Sequence, residues 1–230
     1  MNLAKSLDYF DPSVVKDRIH IIGCGSVGGF VAELFTRFGL TRFALYDFDT
    51  VEDKNIANQI FTTEHLGKNK CDAVFSIMKA VNPDITDKTG IIDNVKIYRE
   101  GYSDQPLDGY VFLCVDNIEL RKQIVKKNVY NQNIKAMFDF RTRLTDSQHY
   151  AADWLDDDSI DNFYNSMNFS ADEASQETEV SACGVSLCVA PTVRMIAEAG
   201  VMNFIRFVRT GKLKYTVLID IENLTIDAFE

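Results

Sequence analysis

The chain has no apolar run of about 18 residues, the length that a bilayer-spanning helix requires. Its longest apolar stretches, such as residues 110–115, are the length of a core strand. Proline is scarce, at 4 of 230 residues, and glycine is modest at 12, which excludes collagen-like and low-complexity classes. Cations are in deficit: 24 Lys and Arg stand against 34 Asp and Glu, a net charge of −10. A nucleic-acid binder needs a basic face to displace phosphate counterions, so that class is set aside. The five cysteines, Cys24, Cys71, Cys114, Cys183 and Cys188, are odd in number and form no C-x-x-C pair. With no secretory leader at the N-terminus, they point to a reducing, cytoplasmic setting rather than a disulfide scaffold. Structural zinc needs four clustered ligands and none is visible, so no zinc is expected. His20, His65 and His149 are dispersed, and no serine has a matching His/Asp pair.

What is present is ordinary globular composition, 46% hydrophobic, at a length that buries roughly 70% of the unfolded surface. Residues 18–22 form a short β-branched run that stops at Gly23. Val27, Phe30, Val31, Leu34, Phe35 and Phe38 then recur at three and four, one face of a helix, with Gly39 as its stop. Residues 42–46 read as a second strand ending at Asp47. Strand, glycine turn, helix and strand make a βαβ unit with a right-handed crossover.

The alternation continues with a helix over 67–81, strands over 95–98 and 110–115, a helix over 117–130 and a strand over 136–140. A strand over 149–152, a helix over 189–208 begun by Pro191, and a polar-turned hairpin over 215–228 follow. The expected fold is a Rossmann-like α/β domain spanning 1–230, with a doubly wound, mostly parallel sheet, flanking helices and a C-terminal antiparallel hairpin. Nine of the ten net negative charges lie between Asp153 and Glu179, a window without Lys, Arg or His. Weak periodicity there predicts a mobile acidic surface loop over 153–182.

Gly23-Cys24-Gly25-Ser26-Val27-Gly28 is a G-x-G-x-x-G string between a strand and a helix. Its glycines allow a tight turn and let a phosphate approach backbone N–H groups at the positive helix end. Asp47, closing the next strand, is placed to accept hydrogen bonds from ribose hydroxyls. On these residues alone NAD fits as well as ATP.

Further elements separate the two. Tyr46-Asp47-Phe48-Asp49-Thr50-Val51, Asn55-Ile56-Ala57-Asn58-Gln59, Gly67-Lys68-Asn69-Lys70, and Cys114-Val115-Asp116-Asn117 with Arg121 follow in order. Together they resemble the ThiF/MoeB superfamily, the adenylyltransferases that activate ubiquitin-like and sulfur-carrier proteins. The resemblance covers residues 19–121 and resumes between Cys183 and Pro191. It implies ATP and Mg²⁺ as cofactors, and a ubiquitin-like or sulfur-carrier-like protein whose C-terminal carboxylate becomes an acyl-adenylate. It also implies a homodimer or heterodimer, and assigns Lys70 to phosphate, Asp116 to magnesium, and Asp49, Asn55, Asn58, Gln59 and Asn117 to the nucleotide's surroundings. Cys183, eight residues before Pro191, is placed to accept the activated carboxylate.

Two features depart from the pattern. Asn58 stands where the family's usual arginine meets the β- and γ-phosphates, and Arg18, Arg141, Arg143 and an arginine from a second subunit are the candidates to replace that charge. The family's zinc-binding cysteine pairs are absent. Two other readings therefore remain. One is a non-catalytic partner subunit that binds nucleotide and a protein. The other is an NAD-binding Rossmann enzyme, which leaves Lys70 and Asp116-Asn117 without a role.

Overall fold

The computed structural model describes residues 1–176, 179–181 and 187–230. Its first unit is β1 (Ile19–Ile22), α1 (Ser26–Arg37) and β2 (Phe43–Tyr46), and every residue of both strands is buried, as an interior parallel sheet requires. Next come α2 (Lys70–Val81), β3 (Val95–Tyr98), β4 (Gly109–Leu113), α3 (Ile118–Asn128) and β5 (Ile134–Thr142). β6 (Asp146–Asp153) turns back antiparallel. After the 21-residue α6 (Ala190–Thr210), β7 (Thr216–Asp220) and β8 (Thr225–Phe229) form the expected hairpin. One sheet results, in the order β3-β2-β1-β4-β5-β6-β7-β8. The four ladders from β3 to β5 are parallel and the three beyond are antiparallel. Strand order reverses between β1 and β4, and in a doubly wound sheet the ligand crevice opens there, outside the carboxyl ends of the strands.

Helices cover both faces. On one, α1, α2 and α6 bury Phe35, Phe112, Phe138 and Phe204 in a single apolar layer. Phe204 sits at its centre, edge-on to Phe35 at 4.9 Å and to Tyr110 at 4.8 Å. On the other, Ile22, Val111, Leu113 and Met137 pack against Ile124 of α3.

The acidic window differs from the loop expected over 153–182. It begins with α4 (Asp157–Asn165) and α5 (Ala171–Gln176). Asp156 caps α4 by accepting from the amides of Asp158 and Ser159, and Asp157 and Asp158 lie at the helix's positive end, where carboxylates stabilise it. Ile160 and Phe163 share one face, are buried, and join Met167 and Trp154 beneath the sheet. Trp154 Nε1 donates to the Asn128 carbonyl at 2.8 Å. Two apolar residues on one helix face, with Met167 just beyond the helix, anchor this acidic segment.

His149 is fully buried between β6 and α6. Its Nδ1 meets the Asp139 carbonyl at 3.0 Å, and its Nε2 accepts from Asn203 Nδ2 at 3.1 Å. Burial holds its pKa down to about 4, despite the carbonyl partner. An unfolded histidine titrates near 6.5, so protons favour the unfolded chain. The neutral ring's contribution is complete above pH 6.5 and is lost as pH falls toward 4. Urea denaturation at pH 7.5 and at pH 4.5 is expected to show a loss of about 2 kcal/mol at the lower pH beyond that in His149→Phe. Equal losses in the two proteins would show that His149 does not titrate with unfolding.

Candidate functional site

The glycine turn sits at the switch point because nothing larger fits. Gly23 has φ +95°, and a Cβ there would lie 2.7 Å from the Cys114 carbonyl carbon. The turn after β1 is thereby pressed against the loop after β4, which carries Asp116. A Cβ on Gly28 would lie 1.9 Å from the Gly23 carbonyl oxygen, so the third glycine lets α1 close onto the turn. Gly25 is the N-cap of α1 and supplies no side-chain cap, leaving the first N–H groups of the helix open to an anion.

Lys70 and Gln59 converge above that helix end. A Cβ on Gly25 would be 3.8 Å from Gln59 Oε1 and 3.9 Å from Lys70 Nζ. Gln59 Oε1 is buried with no hydrogen-bond partner among the described residues, an unmet need that a ligand would answer. Lys70 is 8% exposed, and its ammonium pairs with Asp49 Oδ2 at 2.8 Å. Asn69 fixes this arrangement by capping α2 and donating to the carbonyls of Asp47 and Asp49.

Asp47 accepts from the Cys24 amide at 2.7 Å and from the Asp49 amide at 2.8 Å, which ties the end of β2 to the glycine turn. Burial raises its pKa, and the two amides oppose that rise. Asp116 is exposed, and its carboxylate forms no hydrogen bond or ion pair with a described residue. Asn117 is the N-cap of α3, accepting from the Leu120 amide. The loop therefore spends Asn117 on the helix and leaves Asp116 free.

Other residues of the motifs are drawn into the frame. Asn55 Oδ1 accepts from the Glu52 amide at 2.9 Å in a reciprocal cap. Asn58 Nδ2 donates to the Cys188 carbonyl at 3.2 Å, binding the start of α6 to this side of the crevice. Arg18 lies at the amino ends of the strands, donating to the carbonyls of Phe43 and Asn94, and so cannot replace the missing charge. Arg141 pairs with buried Asp139 at 2.7 Å and is likewise committed. Arg143 occupies the turn between β5 and β6. Cys183 lies outside the described residues. Cys24 and Cys71 are buried, with thiols 3.7 Å apart, and burial pushes the Cys24 thiol well up, so it is inert.

One residue was overlooked as a site candidate although it stands inside a motif. Phe48, between the two aspartates, is 73% exposed, and its ring lies over Gly101, where a Cβ would come within 3.1 Å. A large exposed aromatic ring beside a ligand crevice is the signal that sequence alone does not carry. Among the described residues no group of three or more His, Cys, Asp or Glu side chains is gathered to hold a metal ion.

Beyond the geometry, the ThiF family pattern matches residues 12–229. The chain belongs to the ThiF family. The curated relatives include ubiquitin-like modifier-activating enzyme 5 of Oryza sativa subsp. japonica, 33% identical over 45% of this chain and 27% of its own. The same-named protein of Drosophila virilis is 32% identical over 54% of this chain and 32% of its own. The chain thus spans about a third of the length of these relatives. Among solved structures, PaaA has a TM-score of 0.67 at 17% identity over 95% of this chain and 65% of that one. E. coli MccB in its structure with ATP has a TM-score of 0.66 at 16% identity over 94% of this chain and 64% of that one. These likenesses confirm the Rossmann-type ThiF fold.

In this ThiF-family turn, Gly28→Ala and Gly25→Ala are expected to differ in cost. The first forces a carbonyl clash and is expected to cost about 2–3 kcal/mol in denaturant unfolding. The second meets only ordinary contacts at 3.8 and 3.9 Å, and is expected to cost less than the first. Equal costs would refute this account of the turn.

Proposed function

We propose that this crevice binds Mg·ATP and activates the C-terminal carboxylate of a ubiquitin-like or sulfur-carrier-like protein as an acyl-adenylate. The observation that carries the reading is the convergence of Lys70, Gln59 and the uncapped end of α1 over Gly25, beside the loop whose Asp116 is unpaired among the described residues. The family membership and the relatives' names support it.

In this reading residues 1–230 act as one nucleotide-binding domain. Backbone N–H groups of the Gly23–Gly28 turn and Ser26 hold phosphate oxygens. Asp47 keeps lone pairs free for ribose hydroxyls, and Phe48 offers its exposed face to the base. Lys70 turns from Asp49 to the phosphates as a compact point charge. Asn55, Asn58 and Asn117 act through the loops they fix. A carboxylate oxygen of the carrier protein bonds to the α-phosphorus, the bond to the bridging oxygen breaks, and pyrophosphate leaves. Transfer to Cys183 would then form a thioester and release AMP.

Charge decides how the site can work. Asp47, Asp49 and Asp116 against Lys70 leave the crevice short of cations for a triphosphate. Mg²⁺ typically binds through one or two carboxylates plus substrate phosphates, and Asp116 would hold it here. It would neutralise the leaving pyrophosphate, supplying charge that the resemblance expects from an arginine where Asn58 stands. Nucleotide binding is therefore metal-dependent in this reading.

A second reading, a non-catalytic partner subunit, draws on one observation. The Asn58 amide is engaged with Cys188, and the arginines Arg18 and Arg141 are committed elsewhere.

Calorimetric titration of the protein with ATP, with and without Mg²⁺, and with NAD tests the assignment. ATP is expected to bind only with Mg²⁺, and Asp116→Ala to weaken it at least about tenfold while the folded signal is retained. Unchanged binding in the variant would overturn the metal assignment. NAD binding in place of ATP would overturn the function. Tight Mg·ATP binding with no ATP–pyrophosphate exchange in the presence of a carrier protein would favour the silent subunit.

A further inference from the structure

Asp139, within β5 and level with the last residue of β4, is wholly buried and receives two guanidinium groups. Arg121 Nη1 reaches Oδ1 at 2.7 Å and Arg141 Nε reaches Oδ2 at 2.7 Å. Each arginine then uses its remaining donors elsewhere. Arg121 turns Nε, at 2.7 Å, and Nη2 onto the carbonyl of Val115, the residue before Asp116. Arg141 turns Nη1 onto the Ser166 carbonyl at 2.7 Å and Nη2 onto its hydroxyl at 2.9 Å, at the end of α4. The Arg141 guanidinium lies over two rings, 4.3 Å from Tyr150 and 5.1 Å from Phe169. A continuous chain of charge-assisted bonds thus runs from the acidic window to the Asp116 loop.

We infer that Asp139 and its two arginines are a positioning unit that couples the 166–169 segment to the Asp116 loop. The coupling follows from what a buried carboxylate demands. Both of its oxygens need donors, because an unpaired buried charge is costly. With Arg141 in place, one donor of Arg121 satisfies Oδ1 and the rest hold Val115. With Arg141 withdrawn, Oδ2 is unpaired, and the Arg121 fork is drawn into a bidentate pair with Asp139. Its hold on the Val115 carbonyl is lost, and Asp116 loses its fixed place. The Arg121 fork is the two-state element, and anything that lifts 166–169 from the sheet acts as removal of Arg141 does. The structural coupling stands on its own; its consequence for metal binding rests on the function proposed above.

Hydrogen exchange of the ligand-free protein, Arg141→Gln against wild type, tests the coupling without nucleotide. Peptides covering 115–121 are expected to exchange about tenfold faster in the variant, with those covering 19–22 unchanged. Phe169→Ala, which removes only one of the two rings at a half-buried position, is expected to give the same pattern at smaller amplitude. In parallel, the Mg²⁺ concentration that half-saturates ATP binding is expected to rise about fivefold in Arg141→Gln, a shift that mere loosening of α4 would not produce. Faster exchange over 163–169 with 115–121 unchanged in both variants would overturn the coupling. If Arg141→Gln also frees 19–22, the Phe169→Ala pattern decides. Wild-type protein that binds no nucleotide would overturn the function alone, leaving the exchange result to judge the coupling.

Discussion

The close contact between Gly23 and the backbone of Cys114 and Val115 governs the ligand side of this molecule. It joins the loop after β1 to the loop after β4, the two strands between which the sheet reverses its order. No side chain at position 23 could let the loops approach so far. Because they do, the loop that carries Asp116 lies beside the turn that opens α1, although 90 positions separate Ser26 from Asp116. Gly28 then brings α1 down onto the same turn, so the helix end points at the place where an anion would lie.

The electrostatics are those of a site under restraint. Its lysine is already paired with Asp49, and the acid that would compete with phosphate for it belongs to the same motif. Such a pairing keeps a nearly buried ammonium from being left alone. The arginines, by contrast, are bound to the frame. Arg18 braces the amino ends of the strands, and Arg121 and Arg141 share one buried carboxylate.

Much of this was legible in the residues. The strand, glycine turn and helix, and the next strand ending at Asp47, follow from local spacing, and local spacing is what a sequence states openly. The C-terminal hairpin was legible for the same reason. The acidic window was not, because α4 rests on Ile160, Phe163 and a capping Asp156 within a run of carboxylates, too few apolar positions to outweigh the charge in a windowed reading. The engagement of Asn58 was hidden for a different reason: its partner, the Cys188 carbonyl, is 130 positions away, and backbone acceptors leave no mark in a sequence. The exposure of Phe48 and the commitment of the arginines are tertiary facts of the same kind.

The packing of α1 against α6 has a meaning for synthesis on the ribosome. Phe35, on the helix that carries the glycine turn, meets Phe204, 169 positions later, at 4.9 Å. Contacts so distant in sequence carry a high loop-closure cost and form late. The first βαβ unit leaves the ribosome with one face of its helix layer bare and must wait for the last helix to cover it. In the interval its apolar surface is open to other chains. The part of the molecule that reads most clearly in the sequence is thus among the last to be finished in three dimensions.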